Sequence, residues 1–433
     1  MPARPTRTQR APPIVAFAVF AVVMGTASLL RFWTFHSRSL DMAYYVRLVW
    51  GLAHGFYDQP VVGAPHVLGL HLEPVLFLFA GLARLGPPIA ETLLVAQTLF
   101  AAAVIFPAHA LAQRRLAPLV GERWAFVAAL SIYLVPTVTR CVDYDVHPST
   151  MALFPLMGLV NAIDLGAWKK TWLWLAAALL FREDVGLQAA CLALTFVVWP
   201  REPSDRGRAA LLAAAGLVWF FGYTLAVQPH YLPPRGSLDL HFAAFGGGRG
   251  GVGGLVASAL THPGLFVAHL LTLDRLLYPV FLLVPLALLP LFAPRFLAGA
   301  LPLIAFNMLS DVPGVRAWQA HYITAAAPFL VGAALCGAAR LATRVPPVWR
   351  RPIPLALATT GAICWFLRGA APGSPEFSFA AYRDDAHARS ARQLVAATGP
   401  DAVVVAPSPV LAHLAERPRV YHPSFAPPGA QPD

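Results

Sequence analysis

Apolar stretches long enough to cross a lipid bilayer recur along most of this chain, and that repetition constrains its fold more than any single motif. A transmembrane helix needs about 20 mostly apolar residues, roughly 17–25. Eleven runs approach that length, at 14–33, 91–112, 122–139, 149–167, 171–182, 185–199, 209–227, 276–293, 296–309, 322–342 and 352–371. Of the 433 residues 58% are hydrophobic and 12% charged, whereas soluble domains carry about 25% charged residues. An ordinary soluble enzyme, a disordered chain and a nucleic-acid-binding arm are thereby excluded. The expected fold is an all-α polytopic membrane protein of about eleven transmembrane helices.

The net charge of +11 is a topology signal rather than a nucleic-acid footprint, because the basic residues cluster between the spans. With the N-terminus inside, half of the 32 basic residues fall in short inner connections, among them Arg7, Arg10, Arg114, Arg115, Lys169, Lys170, Arg201, Arg206, Arg295, Arg340 and Arg344. The positive-inside rule then gives a cytoplasmic basic segment 1–13, a transmembrane domain 14–371 and an extracytoplasmic tail 372–433. The expected location is the cell membrane, crossed many times. Cys141, Cys191, Cys336 and Cys364 lie far apart, three of them inside apolar runs, so neither a disulfide framework nor a zinc site is implied.

Under this topology the acids and histidines gather on the outer side. The first outer segment, 34–90, is long for a connector. Its Asp41-Met42-Ala43-Tyr44-Tyr45-Val46-Arg47-Leu48-Val49-Trp50 suits a helix lying along the interface, and 74–86 a second juxtamembrane helix. Asp41, at the expected start of the first, is either an N-cap or a chemically active carboxylate. Arg140-Cys141-Val142-Asp143-Tyr144-Asp145-Val146-His147-Pro148 offers two carboxylates and an imidazole, which suits a divalent cation or the positioning of a hydroxyl; a helix-capping turn is the competing reading. In a strand-like segment Asp143 and Asp145 share a face.

Arg182-Glu183-Asp184 interrupts the pair 171–182 and 185–199, as in broken helices that line an enclosed polar cavity, or as a polar defect in one long helix. The glycines of 246–254 lack the lysine-serine ending of a phosphate loop and read as part of a flexible outer loop, 228–275. Beyond 372, a helix at 387–398, a strand at 401–406, a helix at 409–416 and a strand at 419–421 outline a small α/β appendage packed on the outer loops.

Several of these residues carry a family resemblance. Asp41 at the start of its helix, Val49-Trp50-Gly51-Leu52-Ala53-His54-Gly55, His71-Leu72-Glu73-Pro74, Phe181-Arg182-Glu183-Asp184-Val185-Gly186-Leu187, His321-Tyr322 and the Val403–Tyr421 tail resemble a bacterial family of predicted polytopic membrane proteins. That family is catalogued as domain of unknown function 2079, and it in turn looks like the superfamily C glycosyltransferases. The resemblance implies a glycosyltransferase-C-like fold, a polyprenyl-phosphate-linked sugar donor and transfer on the outer face. It implies that Asp41 is the catalytic acid of the first loop. Asp143 and Asp145 resemble an acidic pair that holds a metal, Mg or Mn.

The functional expectation is an inverting membrane glycosyltransferase whose acceptor the sequence does not name. Asp41 takes the acceptor proton. Arg182, Arg316 and His321 are candidates to meet the departing phosphate, and Glu73, His71, His147 and Glu183 complete the substrate-binding set. The rival expectation is a transporter or lipid-binding envelope protein without bond chemistry. Transporters place ionisable groups near the bilayer midplane, whereas here they gather at one boundary.

Overall fold

The computed structural model describes residues 7–38, 40–231, 241–245, 251–369 and 374–428. The chain is mostly helical and membrane-embedded. Among the described residues five helices are long and apolar enough to span: Ala11–Trp33, Ile89–Arg115, Pro148–Leu165, Asp205–His230 and His321–Arg344. Two bent pairs, Glu122–Leu134 with Pro136–Tyr144 (46°) and Pro263–Leu270 with Leu273–Leu286 (58°), raise the number to seven if each is one span. The sequence suggested eleven. The remaining apolar runs are helical but short: Trp168–Leu179 has 12 residues, which at 1.5 Å per residue is about 18 Å against a hydrocarbon core of about 30 Å. The run 276–293 is broken where Ala287 and Leu288 adopt positive φ between Pro285 and Pro290.

Two helices form the centre. Of the apolar windows in Pro148–Leu165 and His321–Arg344, 83% and 89% of residues are buried, against 22% in Ala11–Trp33. An all-apolar helix is satisfied either by protein or by lipid, and the burial of these two shows that protein surrounds them. Ala11–Trp33 instead faces outward with Val15, Val19, Val22 and Val23, all more than half exposed, and inward with Phe20, Met24, Ser28 and Arg31. That outer face suits lipid and would be costly in water. Gly186 meets Gly216 where Asp184–Val198 crosses Asp205–Phe221, and a Cβ on either would strike the other's carbonyl. Small residues let these backbones touch.

The helix Asp41–His54 buries every residue but Asp41, Trp50 and His54. It is enclosed by protein rather than laid on a surface, because the tail covers it. Arg47, fully buried, reaches Asp58 at 3.2 Å and the Pro418 carbonyl at 3.5 Å, and lies over the Trp50 ring. The expected helix 74–86 is Val75–Ala83, tied by its first N–H to the Leu180 carbonyl at 2.8 Å.

The tail holds the helix Ala386–Ala397 and two short strands, Val404–Val405 and Val420–Tyr421, paired parallel with Val404 opposite Val420. It docks through His413, whose ring stacks on Phe32 at 4.1 Å and Phe35 at 3.9 Å. Of the glycine-rich stretch, 246–250 lie outside the described residues, and 251–254 begin the helix Gly251–Thr261 rather than a loop.

Candidate active site

Three chain segments distant in sequence meet at one end of the bundle. Asp41 lies in the first turn of its helix, with Leu40 at the N-cap; the dipole there favours a carboxylate without any side-chain cap. His147 precedes Pro148, which starts a central helix because its fixed φ suits the first helical position and its missing N–H is no loss there. His321 opens the other central segment. The Asp41 Oδ2 lies 3.3 Å from the His147 Nε2. The His147 and His321 rings stack, centroids 4.0 Å apart, and one ligand atom from each of Asp41, His147 and His321 falls within 4.8 Å of the others.

The surroundings hold this group rigidly. Gln97, fully buried, accepts the His147 backbone N–H at 2.7 Å and donates to the Cys141 and Asp145 carbonyls. Thr137 donates to the Ala320 carbonyl at 2.9 Å, fixing the turn before His321. Tyr144 packs against both imidazoles. The buried His147 Nδ1 has no hydrogen-bond partner, and its Nε2 has the Asp41 carboxylate beside it. A buried polar atom left so costs about 1–3 kcal/mol, and such an atom beside a carboxylate and a second imidazole is what a cation-binding site requires.

A second string of polar contacts continues from the first. The Tyr45 ring meets His147 edge-on at 6.0 Å, and its hydroxyl donates to the Glu73 Oε1 at 3.1 Å. Burial pushes the Glu73 carboxyl up to about 7, against the pull of His71 and Arg182. Burial also holds the Tyr45 hydroxyl in its neutral form. The His71 Nδ1 lies 2.8 Å from the Glu183 Oε1, whose other oxygen accepts the Leu72 N–H at 3.0 Å. Arg182 approaches the His71 Nε2 at 3.3 Å and Asp184 at 3.7 Å. Burial alone would raise the Glu183 carboxyl, but His71 and Arg182 outweigh it and hold it below the usual range. The buried Arg182 Nε and Asp184 Oδ1 have no hydrogen-bond partner. Asp41, His147 and His321 thus touch one another, Tyr45 leads from His147 to Glu73, and Glu73 lies within the charge field of His71, Arg182 and Glu183.

Asp143, Asp145 and Arg316 are placed otherwise. Asp143 sits in the last turn of the helix Pro136–Tyr144 and Asp145 in extended backbone after it, so they do not share a strand face. Arg31 meets Asp143 at 3.0 Å, Arg38 at 3.5 Å, and the Tyr382 hydroxyl donates to it at 2.8 Å. Asp145 accepts the Arg38 backbone N–H. Two guanidiniums already neutralise Asp143, leaving little charge for a cation, so the metal expectation moves from Asp143 and Asp145 to Asp41, His147 and His321. Arg316 pairs with Asp274 at 2.8 Å and the Ser310 carbonyl at 2.5 Å, in a cluster with Asp311 and Arg275.

Tyr45, Gln97 and Arg31 were not among the sequence candidates. Arg31 alone had a signal: under the expected N-in topology, an arginine at the far end of the first span runs against the positive-inside pattern.

The chain belongs to the DUF2079 family of predicted membrane proteins, which matches residues 31–426. No curated protein matches its sequence significantly. Similar solved structures include ArnT from Cupriavidus metallidurans bound to undecaprenyl phosphate, with 16% identity over 93% of this chain and 74% of that one, TM-score 0.45. The archaeal oligosaccharyltransferase AglB from Archaeoglobus fulgidus, with an inhibitory peptide and a dolichol phosphate, has 12% identity over 97% and 65%, TM-score 0.46. An Archaeoglobus fulgidus oligosaccharyltransferase with zinc and sulfate has 15% identity over 80% and 53%, TM-score 0.38.

Proposed function

We propose that this member of the DUF2079 family is a membrane glycosyltransferase that moves a sugar from a polyprenyl-phosphate carrier to an acceptor hydroxyl on the extracytoplasmic face. The observation that carries the reading is the convergence of Asp41, His147 and His321 at the head of the two central helices, joined through Tyr45 to Glu73 and Arg182. It combines a proton acceptor, a candidate cation site and a guanidinium at one end of the spans.

In this scheme Asp41 accepts the proton of the acceptor hydroxyl, whose oxygen forms the new bond to the anomeric carbon. The bond from that carbon to the phosphate oxygen breaks, the phosphate keeps the electron pair, and configuration inverts. Arg182 faces the developing phosphate charge, and its fork suits phosphate oxygens. Two imidazoles and a carboxylate suit zinc or manganese better than magnesium, which prefers all-oxygen ligands; Asp41, His147 and His321 would hold such an ion. When bound, it would supply positive charge to the phosphate. Asp41 would then serve as ligand and orient the hydroxyl, leaving the ionised form of Glu73, whose carboxyl burial raises to about 7, to take its proton.

The test is turnover of a labelled polyprenyl-phosphate sugar by the purified chain. Asp41→Asn should insert and unfold like the parent but release sugar at least a hundredfold more slowly. Parental turnover by that variant would remove Asp41 from the chemistry.

A further inference from the structure

The structure also contains a cavity of about 300 Å³ at the opposite end of the same helices. Pro148–Leu165 has 18 residues, so about 25 Å separate His147 at its head from Asp164 near its foot. Arg115, Arg201, Arg295 and Arg340 line this cavity together with Asp164. The single carboxylate is already saturated. Arg114 reaches its Oδ2 at 2.5 Å and Arg115 its Oδ1 at 2.6 Å. Arg201 is paired with Asp205 at 3.1 Å. Arg295 and Arg340 meet no carboxylate among the described residues; they donate to the Trp199 and Phe292 carbonyls.

These guanidiniums are held in place as well as brought together. Arg295 lies 4.6 Å and Arg201 5.9 Å from the centre of the Phe196 ring, an arrangement that orients a cation without neutralising it. Topology alone asks only that arginines lie near one membrane face; it does not ask four of them to converge on a shared hollow against their mutual repulsion. An anion relieves that repulsion, and planar guanidinium forks match phosphate oxygens in pairs. The volume is at the small end of ligand sites, large enough for a phosphate-bearing headgroup. Phe196 and Phe296 supply apolar wall beside the charge.

We infer that this cavity binds a phosphate-bearing anion, a site separate from the Asp41 group. Its source is either the headgroup of an anionic membrane lipid or a soluble phosphate, and the experiment distinguishes them. The full chain is placed in nanodiscs of phosphatidylcholine with or without phosphatidylglycerol, and retained lipid is read by native mass spectrometry. In parallel, inorganic pyrophosphate is titrated against thermal unfolding of the detergent-solubilised chain. Phosphatidylglycerol retention, or stabilisation by pyrophosphate, should weaken at least tenfold in Arg295→Gln/Arg340→Gln and stay unchanged in Arg389→Gln, which lies in the tail. If the double variant does not fold, Arg340→Gln alone, whose side chain gives up one carbonyl contact, should weaken binding at least threefold. Loss confined to phosphatidylglycerol assigns the lipid source, and loss confined to pyrophosphate the soluble one. Binding of neither anion by the unaltered chain, or equal binding by the folded variant, would overturn the inference.

Discussion

The two ends of the central helices are built from opposite charge chemistry. At the foot, the carboxylate of Asp164 is completed by Arg114 and Arg115, and the charge left over is positive, on Arg295 and Arg340. At the head, the balance is tilted the other way: Asp41, Glu73, Glu183 and Asp184 outnumber Arg182, imidazoles fill the gaps, and several buried nitrogens and oxygens stay unpartnered. A charge whose partners are complete holds structure together. Charges whose partners are incomplete are left for something that arrives, because orphaned buried polar atoms are expensive and few. Asp143 extends the lesson within the head itself: it lies four residues before His147 in the chain, yet Arg31, Arg38 and Tyr382 complete it, so it reads as an anchor for the tail.

That contrast can be broken or sharpened by substitution, and the largest effect belongs to the incomplete group. His147→Phe, which keeps a ring stacked on His321 but removes the ring nitrogens, should lower sugar release by two orders of magnitude or more while shifting unfolding little. Parental turnover in this variant would reassign the imidazole to packing. Next comes Arg31→Leu, which strips a buried partner from Asp143 and should cost about 3–5 kcal/mol of stability, read from thermal or denaturant unfolding in detergent. A loss under 1 kcal/mol would show that Arg38 and Tyr382 suffice. Asp164→Asn should cost less, about 1–3 kcal/mol, because Arg115 remains partly solvated once released; a loss matching that of Arg31→Leu would erase the distinction between the ends.

The smallest effect is a pH dependence. Because the Glu73 carboxyl is raised from its ordinary value of 4.5 to about 7, the fold favours its protonated form. Its contribution is fully present below about 4.5 and is lost as pH climbs through about 7. The unfolding temperature of the parent should therefore fall between pH 5 and pH 8 by more than that of Glu73→Gln. Identical slopes would mean that Glu73 titrates elsewhere.

Much of the architecture was legible from local pattern. Apolar runs mark the helices because the bilayer demands them, and the tail's helix–strand–helix–strand order appears within a few residues of its expected bounds. Asp41 could be placed at a helix start from its neighbours alone. Span number was less legible, since hydropathy does not say whether a run bends or stops, as 276–293 does at Ala287 and Leu288. Long-range pairing was not legible at all. Nothing local distinguishes Asp143, neutralised by residues more than a hundred positions away, from Asp41, which meets two imidazoles contributed by separate helices. Arg316 likewise looked available until Asp274 was seen beside it.

The most direct measurement is a cryo-electron microscopy map of the chain in nanodiscs with a polyprenyl phosphate. Phosphate density within ionic contact of Arg182, beside Asp41 and His147, is the expected result. Density for that lipid only at Arg295 and Arg340, with the Asp41 end empty at saturating lipid, would contradict the assignment of catalysis to the head of the bundle.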